Sequence, residues 1–211
     1  MATDFMTILA SPADTFAEGL LFFQGEGMVN EVLRRLVFDL EAHRIDYTVI
    51  GAVALNQHGY QRFTTDIDLL MTPEGLEKFR KELVGRGYQP AFNGATKKFR
   101  ETTQNVPVEI ITSGEYPGDG KPKSVRFHDP GERFIVIDGI KTVDMARLIE
   151  LKLASGMTGL ARLKDLADVQ ELIRVRQLDA AFADRLDPFV ADKYRELHVD
   201  VAAANEQEER E

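Results

Sequence analysis

The chain has no cysteine and only four histidines in 211 residues. Without thiols, disulfides, thiolate nucleophiles and cysteine-ligated zinc are excluded. The histidines are scattered, and no Ser-His-Asp arrangement stands out. No run approaches the ~18 apolar residues of a membrane helix, and the opening MATDFMTILASPADTF lacks the basic segment and long apolar stretch of a secretory leader. A cytoplasmic protein without a membrane partner is expected. Basic charge is also scarce: 26 Lys and Arg against 35 Asp and Glu give a formal charge of −9 and a pI near 5.1. That balance argues against wrapping long nucleic acid by counterion release, while a local basic groove stays open.

What is present is enough apolar content, 44%, for one sizeable core. Ser11 followed by Pro12 marks a helix start, with a short apolar helix expected over residues 12 to 23. Val29, Val32, Leu33, Leu36, Val37 and Leu40 recur at helical spacing and predict an amphipathic helix from Glu26 to His43. YTVIG (47 to 51) reads as a strand ending in glycine, 52 to 58 as a short helix closing at Gly59, and DIDLLMT as a second strand. Pro73 opens another helix. KKFRETT and VPVEIITSG read as strands, 114 to 132 as loop, and FIVIDGIKTV as a strand turning near Asp138 and Gly139. Helices over DMARLIELKLASGM and GLARLKDLADVQELIRVRQL follow, with a last helical stretch from about Asp179 to Val201. The class is therefore α/β. The tail NEQEERE (205 to 211) reads as a solvated, frayed end.

Within GYQRFTTDIDLLM (59 to 71), Asp66 and Asp68 interrupt an apolar strand pattern. Two apart on a strand, they share one face, ~6 to 7 Å apart, and repel unless something compensates them. A basic neighbour such as Arg62 or a solvent-facing strand end would do so; so would a divalent cation. In VPVEII, Glu109 stands opposite Val108 and Ile110, a third lone acid on a neighbouring strand. Three such carboxylates suit a two-metal site, in which one ion activates a hydroxyl and the other neutralises a triphosphate.

The segment GAVALNQHGYQRFTTDIDLLM (51 to 71), the strand VEII and ELKLASGMTGLARLKDLADVQELI (150 to 173) resemble the polymerase-beta-like nucleotidyltransferase superfamily, over about Met28 to Leu178. The Lys...Arg-x-Lys-Asp-x-x-Asp pattern is similar to that of stand-alone bacterial members, including nucleotidyltransferase toxins of type IV toxin-antitoxin systems. The resemblance implies a mixed, mainly antiparallel sheet flanked by helices, with C-terminal helices packed on the core. It divides the chain into a helical extension (1 to 27), the α/β core (28 to 143), a helical part (144 to 204) and the acidic tail. It further implies two Mg²⁺ ions, with Mn²⁺ as a substitute, on Asp66 and Asp68, with Glu109 as third acid. Gly51 would let the backbone approach an NTP, helped by Ala52, Arg62, Thr65, Lys152, Lys164, Asp165 and Asp168. The implied reaction moves a nucleoside monophosphate to a hydroxyl of a tRNA, a protein or a small molecule and releases pyrophosphate. Ala52 stands where the superfamily usually has serine, and Glu109 where aspartate is commoner. These departures keep a second reading in view, a non-catalytic nucleotide-binding or regulatory module such as half of a toxin-antitoxin pair with an antitoxin partner.

Simpler roles exist for several of these residues. Lys152 could snorkel off an apolar helix. Lys164 and Asp168, one turn apart, could form a surface ion pair on a face shared with Asp165 and Ala161, opposite Leu163, Leu166 and Leu172. His58 reads as a helix-end residue. The loop GDGKP fails P-loop spacing and reads as a mobile rim that brings Lys121, Lys123 and Arg126 near an acceptor.

Overall fold

The computed structural model describes residues 4 to 208. Its centre is a seven-stranded mixed sheet in the order β3-β4-β5-β2-β1-β7-β6. These strands are β1 (Thr48–Val49), β2 (Ile67–Met71), β3 (Tyr88–Pro90), β4 (Lys98–Glu101), β5 (Pro107–Thr112), β6 (Phe134–Ile137) and β7 (Ile140–Val143). β2 runs parallel to β5 and β1 parallel to β7; the other four pairings are antiparallel. The mixed, mainly antiparallel sheet expected from the sequence is thus present.

Helices cover both faces because the strands alternate. Ile67, Leu69 and Met71 of β2, with Val108 and Ile110 of β5, face one core. That core is closed by α1 (Phe5–Leu9), α2 (Pro12–Phe23), α3 (Gly27–Ala42) and α5 (Pro73–Leu83). Leu70 points to a second core, closed by α4 (Gly51–Gln57), α6 (Met145–Thr158), α7 (Leu163–Arg176), a 3-10 turn (Ala180–Arg185) and α8 (Pro188–Glu208). Period-two alternation then puts Asp68 and Glu109 on the face of the second core.

Local chemistry fixes the helix starts. Ser11, Thr72 and Asp144 cap α2, α5 and α6 by accepting backbone N–H groups, and Pro12 and Pro73 occupy first-turn positions where no N–H is needed.

Several expectations need correction. Asp66 lies in a bend just ahead of β2, so only Asp68 is inside the strand. Gly51 opens α4 and does not end a strand, and β1 is two residues long. α1 and β3 carry too little periodicity to be seen in the sequence. The C-terminal helix continues through Glu208, where a frayed end was expected from 205; residues 209 to 211 of that tail lie outside the described residues. Within the loop from 114 to 132, GDGKP (118 to 122) is exposed, and the segments on either side of it are anchored. Pro117 and Val125 are buried, the Gly114 N–H donates to the Phe127 carbonyl, the Phe127 N–H donates to the Glu115 carbonyl, and Ser124 donates to Asp187.

Candidate active site

A cleft of about 720 Å³ opens between the second-core face of the sheet and the α6–α7 pair. Gly51, Ala52, Arg62, Thr65, Asp66, Asp68, Glu109, Lys152, Lys164 and Asp165 line it. Asp168 does not; it is 2% exposed behind the cleft wall. The structure therefore brings together residues that the sequence leaves as far apart as Gly51 and Asp165.

On the sheet wall, Asp68 and Glu109 are direct register partners across β2 and β5. Thr64 donates a 2.6 Å hydrogen bond to Asp66 Oδ1, which holds that carboxylate at the strand entrance. Burial, then the charges of Asp66 and Glu109, push the Asp68 carboxyl up to about 7. Negative charge is thus gathered here without full compensation. Glu109 is partly relieved by Lys98, its antiparallel neighbour on β4, at 3.0 Å. Both side chains of that pair are well exposed, so it is weak.

Gly51 sits against this wall with φ +68°, and a Cβ there would lie 2.0 Å from Asp68 Oδ2. Only glycine fits both the backbone and the space. The Ile50 N–H donates to the Asp68 carbonyl at 3.0 Å and fixes the approach.

The opposite wall is cationic but largely tied. Asp168 Oδ2 accepts from Lys152 Nζ at 2.7 Å and from Arg62 Nη1 at 2.6 Å. Lys152 also reaches Asp165 Oδ1 at 3.1 Å, and Ser155 donates to Asp165 Oδ2 at 2.7 Å. Lys152 is therefore no snorkelling lysine; it is buried at 8% exposure inside an acid network. Arg62 pairs with Asp168, not with Asp66. The expected Lys164–Asp168 surface pair is absent among the described residues, and Lys164 is exposed on the cleft rim. Leu163, expected to pack, is 76% exposed, and Ala161 precedes α7 in a left-handed turn. Lys121 stays off the cleft, while Lys123 and Arg126 line a neighbouring groove. His58 ends α4 as expected, its Nε2 2.7 Å from the Val143 carbonyl and its pKa lowered by burial.

Lys98, Ser155 and Tyr116 were missed by sequence reading. Each enters the site through sheet register or helix packing, which no local pattern reports.

No family model and no curated protein matches the chain. Solved structures do. One from H. pylori with a provisional nucleotidyltransferase assignment is 16% identical, covers 85% of this chain and 94% of its own, and has a TM-score of 0.45. JHP933 from Helicobacter pylori is 16% identical, with 86% and 92% covered and a TM-score of 0.46. ANT(2″)-Ia in complex with adenylyl-2″-tobramycin is 10% identical, with 83% and 97% covered and a TM-score of 0.49. The chain is similar to nucleotidyltransferases. Nothing in this likeness bears on toxin-antitoxin membership, and likeness at this level assigns no chemistry.

Whether the donors fit a metal depends on their chemistry. Aspartate and glutamate oxygens are the donors Mg²⁺ takes, and the weakened acidity of Asp68 marks charge that a cation would relieve. Among the described residues, however, no three Asp, Glu or His side chains form a ready cage. Asp66 and Asp68 bring such oxygens to the cleft, and Glu109 does so while paired with Lys98.

Proposed function

We propose that the chain is a Mg²⁺-dependent nucleotidyltransferase that moves a nucleoside monophosphate from an NTP to a hydroxyl acceptor. One observation carries this reading: the cleft sets Asp66, Asp68 and Glu109 on one wall and Arg62, Lys152 and Lys164 on the other. Its charged lining is four cations (Arg62, Lys152, Arg162, Lys164) against five anions (Asp66, Asp68, Glu109, Glu115, Asp165). Such a cleft repels a bare triphosphate, and metal cations bound with it reverse the sign.

When bound, Mg²⁺ would neutralise the triphosphate and acidify the acceptor hydroxyl. Asp66 and Asp68 would hold it, with Glu109 on the acceptor side. The acceptor oxygen forms a bond to the α-phosphorus, the bond to the α,β-bridging oxygen breaks, and pyrophosphate leaves. Glu109, freed from Lys98, takes the acceptor proton. Lys164 faces the departing phosphates from the rim, while Asp168 and Asp165 hold Lys152 and Arg62 in position. Ala52 removes one hydroxyl from the phosphate end, and the backbone beside Gly51 remains. The formal charge of −9 favours a small or protein acceptor over long nucleic acid.

The Lys98–Glu109 pair supports a second reading, a nucleotide-binding module without turnover. Incubation with α-labelled NTP, Mg²⁺ and cell extract decides between them. Label transferred to an acceptor, and lost in Asp68→Asn, supports transfer; Mg²⁺-dependent nucleotide binding with no transferred label supports the module.

A further inference from the structure

A second groove of about 600 Å³ lies beside the cleft, and Tyr116 lines both. Its charge is unusual for an acidic protein: Lys123, Arg126, Arg133, Arg147 and Arg185 face it, against Glu150 and Asp187. Some of that charge is spent. Lys123 is held by Asp119 at 2.6 Å, and Arg133 by Asp144 at 3.0 Å and Glu150 at 3.4 Å. Asp187 accepts from Ser124 and from the Phe189 N–H. Arg126 and Arg185 are exposed and have no carboxylate partner among the described residues.

Arg147 is the decisive member. It is 5% exposed, and its Nη1 donates to Glu150 Oε2 at 2.7 Å. Its Nε and Nη2 have no partner, and they are the only such buried side-chain atoms among the described residues. These two nitrogens form one edge of the planar guanidinium, which presents parallel N–H groups to the two oxygens of a single oxyanion. A buried cation with that edge empty is costly, and an incoming oxyanion removes the cost.

We propose that this groove is a phosphate-binding subsite, separate from the nucleotide cleft, in which the Arg147 edge grips a phosphate monoester and Arg126 and Arg185 take its remaining oxygens. A phosphate monoester fits better than a carboxylate because it has three free oxygens for three guanidinium groups. The edge is closed to water in this conformation, so entry requires the groove lining to shift locally. Through Tyr116 the bound phosphate sits next to the cleft, as the anchor of a phosphorylated hydroxyl acceptor. That last role rests on the nucleotidyl-transfer reading; the anion site itself does not.

Calorimetric titration of the full chain with inorganic phosphate and with glycerol 3-phosphate, at constant ionic strength against chloride, tests it. Saturable binding is expected, undisturbed by a saturating non-hydrolysable Mg-NTP and unchanged in Asp68→Asn. Arg147→Lys keeps the charge but loses the fork and should weaken binding about tenfold or more. Arg126→Ala and Arg185→Ala, both at exposed positions, should each weaken it about threefold. Absent saturation, indifference to Arg126 and Arg185, or displacement by the nucleotide overturns the site. An RNA oligonucleotide that binds more tightly than both probes through the same arginines overturns the small-acceptor form. Phosphate binding without label transfer would leave the site standing and remove the transferase; transfer without phosphate binding does the reverse.

Discussion

Asp68 and Glu109 face the same cleft as register partners on parallel neighbouring strands, and each acid has a different counterweight. Glu109 has Lys98 at 3.0 Å, whereas Asp68 responds by holding its proton up to about pH 7.

Asp68→Asn should stabilise the metal-free protein at neutral pH. The folded pKa is about 7 against an ordinary 3.8, so the folded state binds the proton more tightly than the unfolded chain. Stability therefore falls as pH rises from about 4 to 7 and then levels, by at most ~4 kcal/mol. The advantage of the variant should grow across that window and vanish below about pH 4. Thermal denaturation at several pH values checks it, and a pH-independent difference would contradict it.

Asp66→Asn and Asp68→Asn should each abolish label transfer. Activity within about tenfold of the parent, a barrier change near 1.4 kcal/mol, would rule out the two-acid metal site.

Glu109→Gln should lower turnover more than nucleotide affinity, since its proposed role concerns the acceptor. Lys98→Ala should change stability by only a few tenths of a kcal/mol, because the pair is exposed. It should also tighten Mg²⁺ binding by freeing Glu109. Titrations with Mg²⁺ and steady-state kinetics separate the effects.

Gly51→Ala forces a Cβ to 2.0 Å from Asp68 Oδ2 at φ +68°. A loss of about 1 to 3 kcal/mol or more is expected, together with activity. Adding Asp68→Gly should recover part of the stability and none of the activity, a coupling that a double-mutant cycle reads directly.

Lys164→Ala and Asp168→Ala should differ in kind. The first removes an exposed cation with no carboxylate partner among the described residues: stability is unchanged, and triphosphate affinity falls about tenfold or more if it meets the phosphates. The second leaves Lys152 and Arg62 without their shared carboxylate and should cost ~3 to 5 kcal/mol. Denaturant melts and nucleotide titrations of both variants distinguish the roles.

The amino-acid order by itself determined the local facts: helix starts at Ser11, Thr72 and Asp144, the in-out alternation of β2 and β5, and the isolation of Asp68 and Glu109 among apolar neighbours. These are properties of residues within a few positions of one another, so composition and period reveal them. Tertiary structure alone decided the pairings. It placed Asp68 beside Glu109 by parallel register, joined Lys98 to Glu109 across a hairpin, and bound Lys152 and Arg62 to one oxygen of Asp168. Sequence had offered Asp66 to Arg62 and Asp168 to Lys164, the nearest opposite charges along the chain. Burial overrode that proximity, because a carboxylate 2% exposed needs partners that the core itself brings to it.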